Sequence, residues 1–204
     1  MEKNTLHFIL ASASPRRTQL LRQMGITHEV VPAHVDENSG LPAEPGAHVT
    51  ALAERKALLV SESRPSALVL GADTVVYHHG EILGKPADFS EACRMVERLA
   101  GTEHEVFTGI ALAGPQGSPV ESSFEVTRVR FRPLDKRHIE LYAATGEPFD
   151  KAGAYGIQGY GSALVERVTG CYFNVMGLPV TRLIRMLAAR GIDYPFGPLV
   201  AGSG

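Results

Sequence analysis

With 204 residues, 44% of them hydrophobic, the chain can bury the core of one domain, or of one domain with a lobe. A formal charge of −2 and a pI near 6.4 give no global basic field, which argues against extended nucleic-acid binding but allows a small anion held by local cations. Cys93 and Cys171 have neither zinc nor redox spacing, no apolar run reaches the about 20 residues of a membrane span, and no basic-then-apolar leader opens the chain. A disulfide framework is therefore excluded, and a cytoplasmic protein with two reduced thiols is expected.

His7–Ala11 predicts a buried strand, followed by a tight turn and a helix ended by Gly25. Ser14 suits the N-cap and Pro15 the first helical position, where a missing N–H costs nothing. Helix N–H groups, the dipole, the Ser12 and Ser14 hydroxyls, and Arg16 and Arg17 would then converge on one spot suited to phosphate. An ordinary capped helix with two solvated arginines, or a flexible Ser-Pro-Arg-Arg arm on nucleic acid, are the alternatives. The apolar strand before the motif and the leucines after it favour a pocket over an arm.

His28–Pro32 predicts a strand and Ala33–Gly46 a polar loop carrying Asp36 and Glu37. A loop acidic pair is commonly just solvated, but if it faces Asp73 it makes a hard oxygen site for Mg²⁺ or Mn²⁺. Val49–Val60 has helical periodicity, with Lys56 near the middle of its apolar stripe. Such a lysine either snorkels to water or meets an anion. Leu68–Tyr77 predicts a strand in which Asp73 is out of place: a carboxylate in an apolar run needs a metal, a cation or several N–H donors, unless the strand breaks there. Gly71 and Ala72 would leave room for a ligand.

His78–Glu81 is a turn into Ile82-Leu83, and Gly84-Lys85-Pro86 presents Lys85 on a tight turn without matching a P-loop. Ser90 is expected to cap a helix that ends at Gly101. Val106–Ala113 and Val120–Phe131 predict an antiparallel hairpin through Gly114–Gly117, and Asp135 caps a helix through Thr145. Gly146–Gly161 is a glycine-rich loop that lets backbone approach a ligand, with Gln158 able to read a base edge. A strand at Ala163–Val168 and an amphipathic helix at Pro179–Arg190, with Arg182, Arg185 and Arg190 outward, complete the pattern. The expected fold is α/β: a mixed β-sheet with flanking helices, as two lobes around a central cleft. Residues 1–194 form a single domain in this reading, and 195–204 a flexible tail.

Taken together, these segments resemble the Maf family of nucleoside triphosphate pyrophosphatases. The resemblance rests on Ser12–Arg17, Asp36-Glu37, Glu54–Ala57, Gly71–Val76, Gly84–Pro86, Asp150–Gly161 and Tyr172–Pro179, in the family's order, from about Leu6 to Arg190. It implies a fold shared with inosine-triphosphate pyrophosphatases. It also implies house-cleaning hydrolysis of a nucleoside triphosphate to monophosphate and pyrophosphate, with a divalent cation (Mg²⁺ or Mn²⁺). Ala72-Asp73-Thr74 and Gln158 look like the branch acting on dTTP and UTP, extending to modified pyrimidine nucleotides; the 7-methyl-GTP branch carries Ser-Asp-Gln and Glu there.

By the same resemblance Asp73, Lys56, Lys85 and Glu37 are catalytic, with Glu37 and Asp73 at the metal. Ser12, Ser14, Arg16, Arg17, Thr74 and Gln158 bind substrate. The implied partner is the nucleotide, with no membrane and no stable nucleic-acid partner, and family analogy suggests a homodimer. A same-fold enzyme for another modified nucleotide and a nucleic-acid-binding cell-division regulator are the rival readings.

Overall fold

The computed structural model describes residues 6–37, 39–115 and 118–202. In chain order it contains β1 (Phe8–Leu10), α1 (Pro15–Gln23), β2 (Glu29–Val30), α2 (Pro45–Ser63), β3 (Leu68–His78), β4 (Glu81–Leu83) and α3 (Phe89–Leu99). There follow β5 (Glu103–Ala113), β6 (Glu121–Phe131), α4 (Lys136–Ala143), β7 (Val165–Thr169), α5 (Tyr172–Val175), α6 (Val180–Ala189), β8 (Ile192–Asp193) and β9 (Val200–Ala201). The sheet is mixed and flanked by helices, so the α/β expectation holds. Gln116 and Gly117 of the expected hairpin turn lie outside the described residues; β5 and β6 on either side are sheet neighbours.

The chain divides into two compact units. One comprises the residues up to Asp73, Thr108–Glu125, and those from Gly177 onward; the other comprises Thr74–Phe107 and Val126–Met176.

In the first unit the strand order is β2-β1-β3-β5-β6. β1 is parallel to both neighbours, pairing Ile9 with Glu29 and with Val69. Phe8, Ile9 and Leu10 are all buried, as a central parallel strand requires. Helix α2 lies directly on bare sheet backbone. A Cβ at Gly71 of β3 would stand 2.1 Å from the Ala53 carbonyl oxygen, and one at Gly109 of β5 would stand 2.4 Å from Val49 backbone. Ala53 and Ala57 on the helix and Ala111 and Ala113 on β5, which share one core cluster with Val69, permit this approach. Gly71 thus makes room for a helix rather than for a ligand, a correction to the sequence reading.

Helix α2 also starts earlier than its apolar stripe suggested. Glu44 caps it by accepting from Gly46 N (2.9 Å) and Ala47 N (2.6 Å), and Pro45 occupies its first turn. In α6, Leu183 and Leu187 are buried and Arg185 is exposed, as predicted, and Met186 is buried with them. Arg182 and Arg190 are half-buried and tied to the protein: Arg182 pairs with Glu125 at 2.9 Å, and Arg190 donates to the Leu112 and Gly114 carbonyls at 2.8 and 2.9 Å. The Gly/Pro-rich end, expected to fray, contributes β9, which pairs antiparallel with β8, and it buries Leu199.

In the second unit the order is β4-β3-β5-β6-β7, with β3/β4 and β6/β7 antiparallel. Helices α3 and α4 pack Val96, Leu99 and Ile139 into a core with Val129 and Phe131. Asp88, not Ser90, caps α3: its carboxylate accepts from Glu91 N at 2.7 Å, while Glu91 accepts from Ala87 N at 2.7 Å. The carboxylate reaches the third helical amide, which a serine inside the first turn does not. Asp135 caps α4 through His138 N at 2.8 Å, as expected.

His104 is buried in this core, edge-on to Phe131 and 2.7 Å from the Tyr155 hydroxyl. Burial, with a smaller push from His78, lowers its pKa from 6.5 to about 3. The unfolded chain therefore binds a proton near pH 6.5 that the folded chain refuses until about pH 3. Stability is lost as pH falls through that window, at up to about 1.4 kcal/mol per pH unit. His104→Gln, which keeps a polar partner for Tyr155, should flatten the fall in unfolding free energy measured below pH 6.5. An unchanged slope would show that another group carries the acid sensitivity.

Candidate active site

In the first unit, five of the residues singled out in the sequence form one connected cluster. Lys56 on α2 and Asp73 on β3 come from the two elements that Gly71 brings together. Lys56 Nζ donates to Asp73 Oδ1 at 2.7 Å and lies 2.6 Å from Glu37 Oε1. The lysine side chain is 9% exposed and that of Asp73 13%, so this pair is largely dry, whereas Glu37 at 45% opens to solvent. Of the two readings of Lys56, the anion partner wins, and the anions are carboxylates of the protein.

The loop carrying Glu37 is tied to the same helix. Arg55, next to Lys56, donates to the Ser39 and Gly40 carbonyls at 2.9 and 2.7 Å, and Ser39 Oγ donates to Asp36. One turn of α2 thus fixes the loop backbone with one cation and its carboxylate with the other.

Arg17 forms the other half of the cluster. It is buried, and its Nε donates to the Gly177 carbonyl at 2.7 Å. Its Nη1 donates to Ser12 Oγ at 2.8 Å and to the Ala72 carbonyl at 3.1 Å. Burial lowers its pKa to about 10, against the opposing pull of Asp73, so it stays charged at neutral pH. These N–H groups brace the turn after β1 against the residue preceding Asp73. Ser12 Oγ also accepts from Ser14 N at 3.3 Å. Ser14 does sit at the N-cap of α1, but its hydroxyl makes no capping bond. Arg16 is half-buried in the first turn of α1.

Thr74, Lys85 and Gln158 belong to the second unit. Thr74 follows Asp73 on β3, Lys85 is exposed in the turn after β4, and Gln158 is half-buried at the start of the 3₁₀ turn Gly159–Ala163. The Lys85 turn and the glycine loop are joined, since Gly153 N donates to the Gly84 carbonyl at 2.9 Å. Gly153 (φ +66°) presses on Val76, with no space for a Cβ.

Glu37 and Asp73 both reach one ammonium, so their oxygens are close enough to share a cation. Two hard carboxylates suit Mg²⁺, which completes its shell with water and phosphate, and they do not suit zinc. Among the described residues, no group of three or more His, Cys, Asp or Glu could hold a metal without such help.

Some functional groups escaped the sequence reading. The Ala72 and Gly177 carbonyls are backbone atoms and leave no residue signature. Glu147 and Tyr142, which hold the glycine loop, had one available signal: an acid beside Gly146 and Pro148 at the start of a loop whose amides need acceptors.

A family profile described as Maf-like protein matches residues 7–190. A dTTP/UTP pyrophosphatase of Symbiobacterium thermophilum is 51% identical over 92% of this chain and 94% of its own. One from Halalkalibacterium halodurans is 48% identical over 92% and 98%, and one from Pelotomaculum thermopropionicum 47% over 91% and 97%.

Proposed function

This chain belongs to the Maf-like protein family, and we propose that it hydrolyses dTTP and UTP to the monophosphate and pyrophosphate. The observation that carries the reading is Asp73, an acid inside an apolar strand, held by a buried lysine beside a second carboxylate. The names borne by its relatives support the substrate class.

Attack of water at the α-phosphorus needs a proton acceptor on the water and positive charge about the leaving pyrophosphate. Asp73 accepts the proton at a carboxylate oxygen, and Lys56 orients that oxygen. Glu37 and Asp73 are the residues that would hold a divalent cation (Mg²⁺ or Mn²⁺), which when bound supplies a Lewis acid for the triphosphate oxygens. With Arg17 and Lys56 against Glu37 and Asp73, the cluster is balanced in charge without ligand. A triphosphate shifts that balance and competes for the Lys56 ammonium. Ser12, Ser14, Arg16 and the start of α1 offer donors to phosphate, with Arg17 bracing them from behind.

Lys85 as a further phosphate cation, and Arg16, Thr74 and Gln158 as base readers, rest on the family resemblance. Uracil and thymine present an acceptor at O4 and a donor at N3, which one amide side chain can match, whereas the amine of cytosine meets a donor. The same reading treats residues 1–194 as one domain and takes a nucleotide rather than nucleic acid as partner. It also places the protein in the cytoplasm; no described helix is long and apolar enough to cross a membrane.

The test is a panel of nucleoside triphosphates with Mg²⁺ or Mn²⁺ and identification of the released phosphate species. Pyrophosphate with monophosphate, fastest from dTTP and UTP, is the expected result. Orthophosphate with diphosphate would place attack at the wrong phosphorus, and a preference for another base would reject the substrate assignment.

A further inference from the structure

The loop that carries Gln158 is held from outside by two side chains of the preceding helix and turn. The Glu147 carboxylate accepts from Tyr160 N at 2.8 Å, from Gly161 N at 3.0 Å and from the Tyr142 hydroxyl at 3.3 Å. Tyr142 Oη in turn accepts from Gly156 N at 3.4 Å. Gly156 precedes Gln158 and Tyr160 follows it, so the anchored amides bracket the glutamine. Bonds from backbone N–H to a carboxylate are charge-assisted, and these two come from consecutive residues.

The fit leaves no slack. A Cβ at Gly159, where φ is +63°, would stand 2.5 Å from Glu147 Oε2, and one at Gly161 would stand 2.1 Å from the Gly156 carbonyl oxygen. The other end of the turn is also fixed: Lys151 Nζ donates to the Glu147 carbonyl at 2.6 Å and to Asp150 Oδ1 at 2.5 Å. Tyr142 is buried, and burial and the Glu147 charge both raise its pKa, so the phenol stays a donor.

We propose that Glu147, seconded by Tyr142, is a positioning residue for base selection: it fixes the backbone on both sides of Gln158 and so the direction in which that amide meets the nucleobase. The proposal rests on the reading of Gln158 as a base reader. A primary amide carries both donors and an acceptor, so on a loose loop it can turn to satisfy any base. Held in one direction, it leaves a mismatched base unpaired. Loss of the clamp should therefore erode selectivity before it erodes the chemistry at Asp73.

The experiment compares kcat and KM for UTP and CTP in the full chain carrying Glu147→Gln, Gln158→Ala, or both. The two amides bond to different carboxylate oxygens, so a glutamine at 147 keeps one acceptor and sets its NH₂ donor against the other N–H. With Tm preserved, Glu147→Gln should cut the UTP-over-CTP ratio by about tenfold or more, chiefly through KM. It should speed hydrogen exchange at the Tyr160 and Gly161 amides, and add little once Gln158 is alanine. If Gln158→Ala lowers the ratio and folded Glu147→Gln does not, the clamp is overturned alone. If Gln158→Ala leaves the ratio intact, the base-reading role falls and the clamp's function falls with it. Should Glu147→Gln fail to fold, Gly159→Ala displaces the same carboxylate from the loop side, and the same two outcomes decide.

Discussion

Asp73→Asn should lower kcat by about 10³-fold while leaving the affinity for nucleotide nearly unchanged. The substitution keeps the shape of the side chain, and the amide oxygen still accepts from Lys56 Nζ, now 2.7 Å from Oδ1. The fold around β3 should therefore survive. What disappears is a group able to take a proton from water, together with one of the two carboxylates that converge on the Lys56 ammonium. Phosphate donors at Ser12, Ser14 and Arg16 are untouched, so binding and turnover separate. Steady-state kinetics with UTP, alongside direct titration of a non-hydrolysable UTP analogue, measures both. Turnover near the parent level would remove Asp73 from the chemistry. A parallel collapse of affinity would assign it to holding the substrate or its cation instead.

Asp73 and Lys56 could be found in the sequence because each breaks an apolar pattern, a continuous run in β3 and a helical stripe in α2. A misfit reports that a partner must exist but not which one, and the partners turned out to be each other and Glu37. Arg17 was visible for the opposite reason, as a cation at a helix start, and that context pointed outward to phosphate. Its acceptors, the Gly177 and Ala72 carbonyls, are distant backbone atoms that no side-chain pattern encodes. The long elements were legible from periodicity, whereas β8 and β9 are too short to have any. The start of α2 was hidden because Pro45 and Gly46 read as loop punctuation. Proline is acceptable in a first helical turn, and Gly46 lies under the Phe124 ring, whose Cζ would be 2.7 Å from an added Cβ.

Gly71 shows how one residue supports both fold and site, and Gly71→Ala should be strongly destabilising. Its Cβ would stand 2.1 Å from the Ala53 carbonyl oxygen and 2.8 Å from Ala57 N. Both are backbone atoms of α2, so no rotamer change relieves the clash and the helix must lift from β3. Overpacking costs roughly 1–3 kcal/mol where side chains can adjust; against helix backbone the upper end or more is expected. For a chain of this size about 3 kcal/mol corresponds to a fall in Tm of roughly 6–12 °C. Lys56 rides on the displaced helix and Asp73 on the strand, so the 2.7 Å contact between them opens as well. Activity should therefore fall further than the loss of folded protein explains. Gly197→Ala is the control: nothing lies within 4 Å of its added Cβ, and Tm and activity should stay at parent values. If Gly71→Ala melts within about a degree of the parent, α2 does not rest on bare strand backbone. The close approach that joins Lys56 to Asp73 would then need another cause.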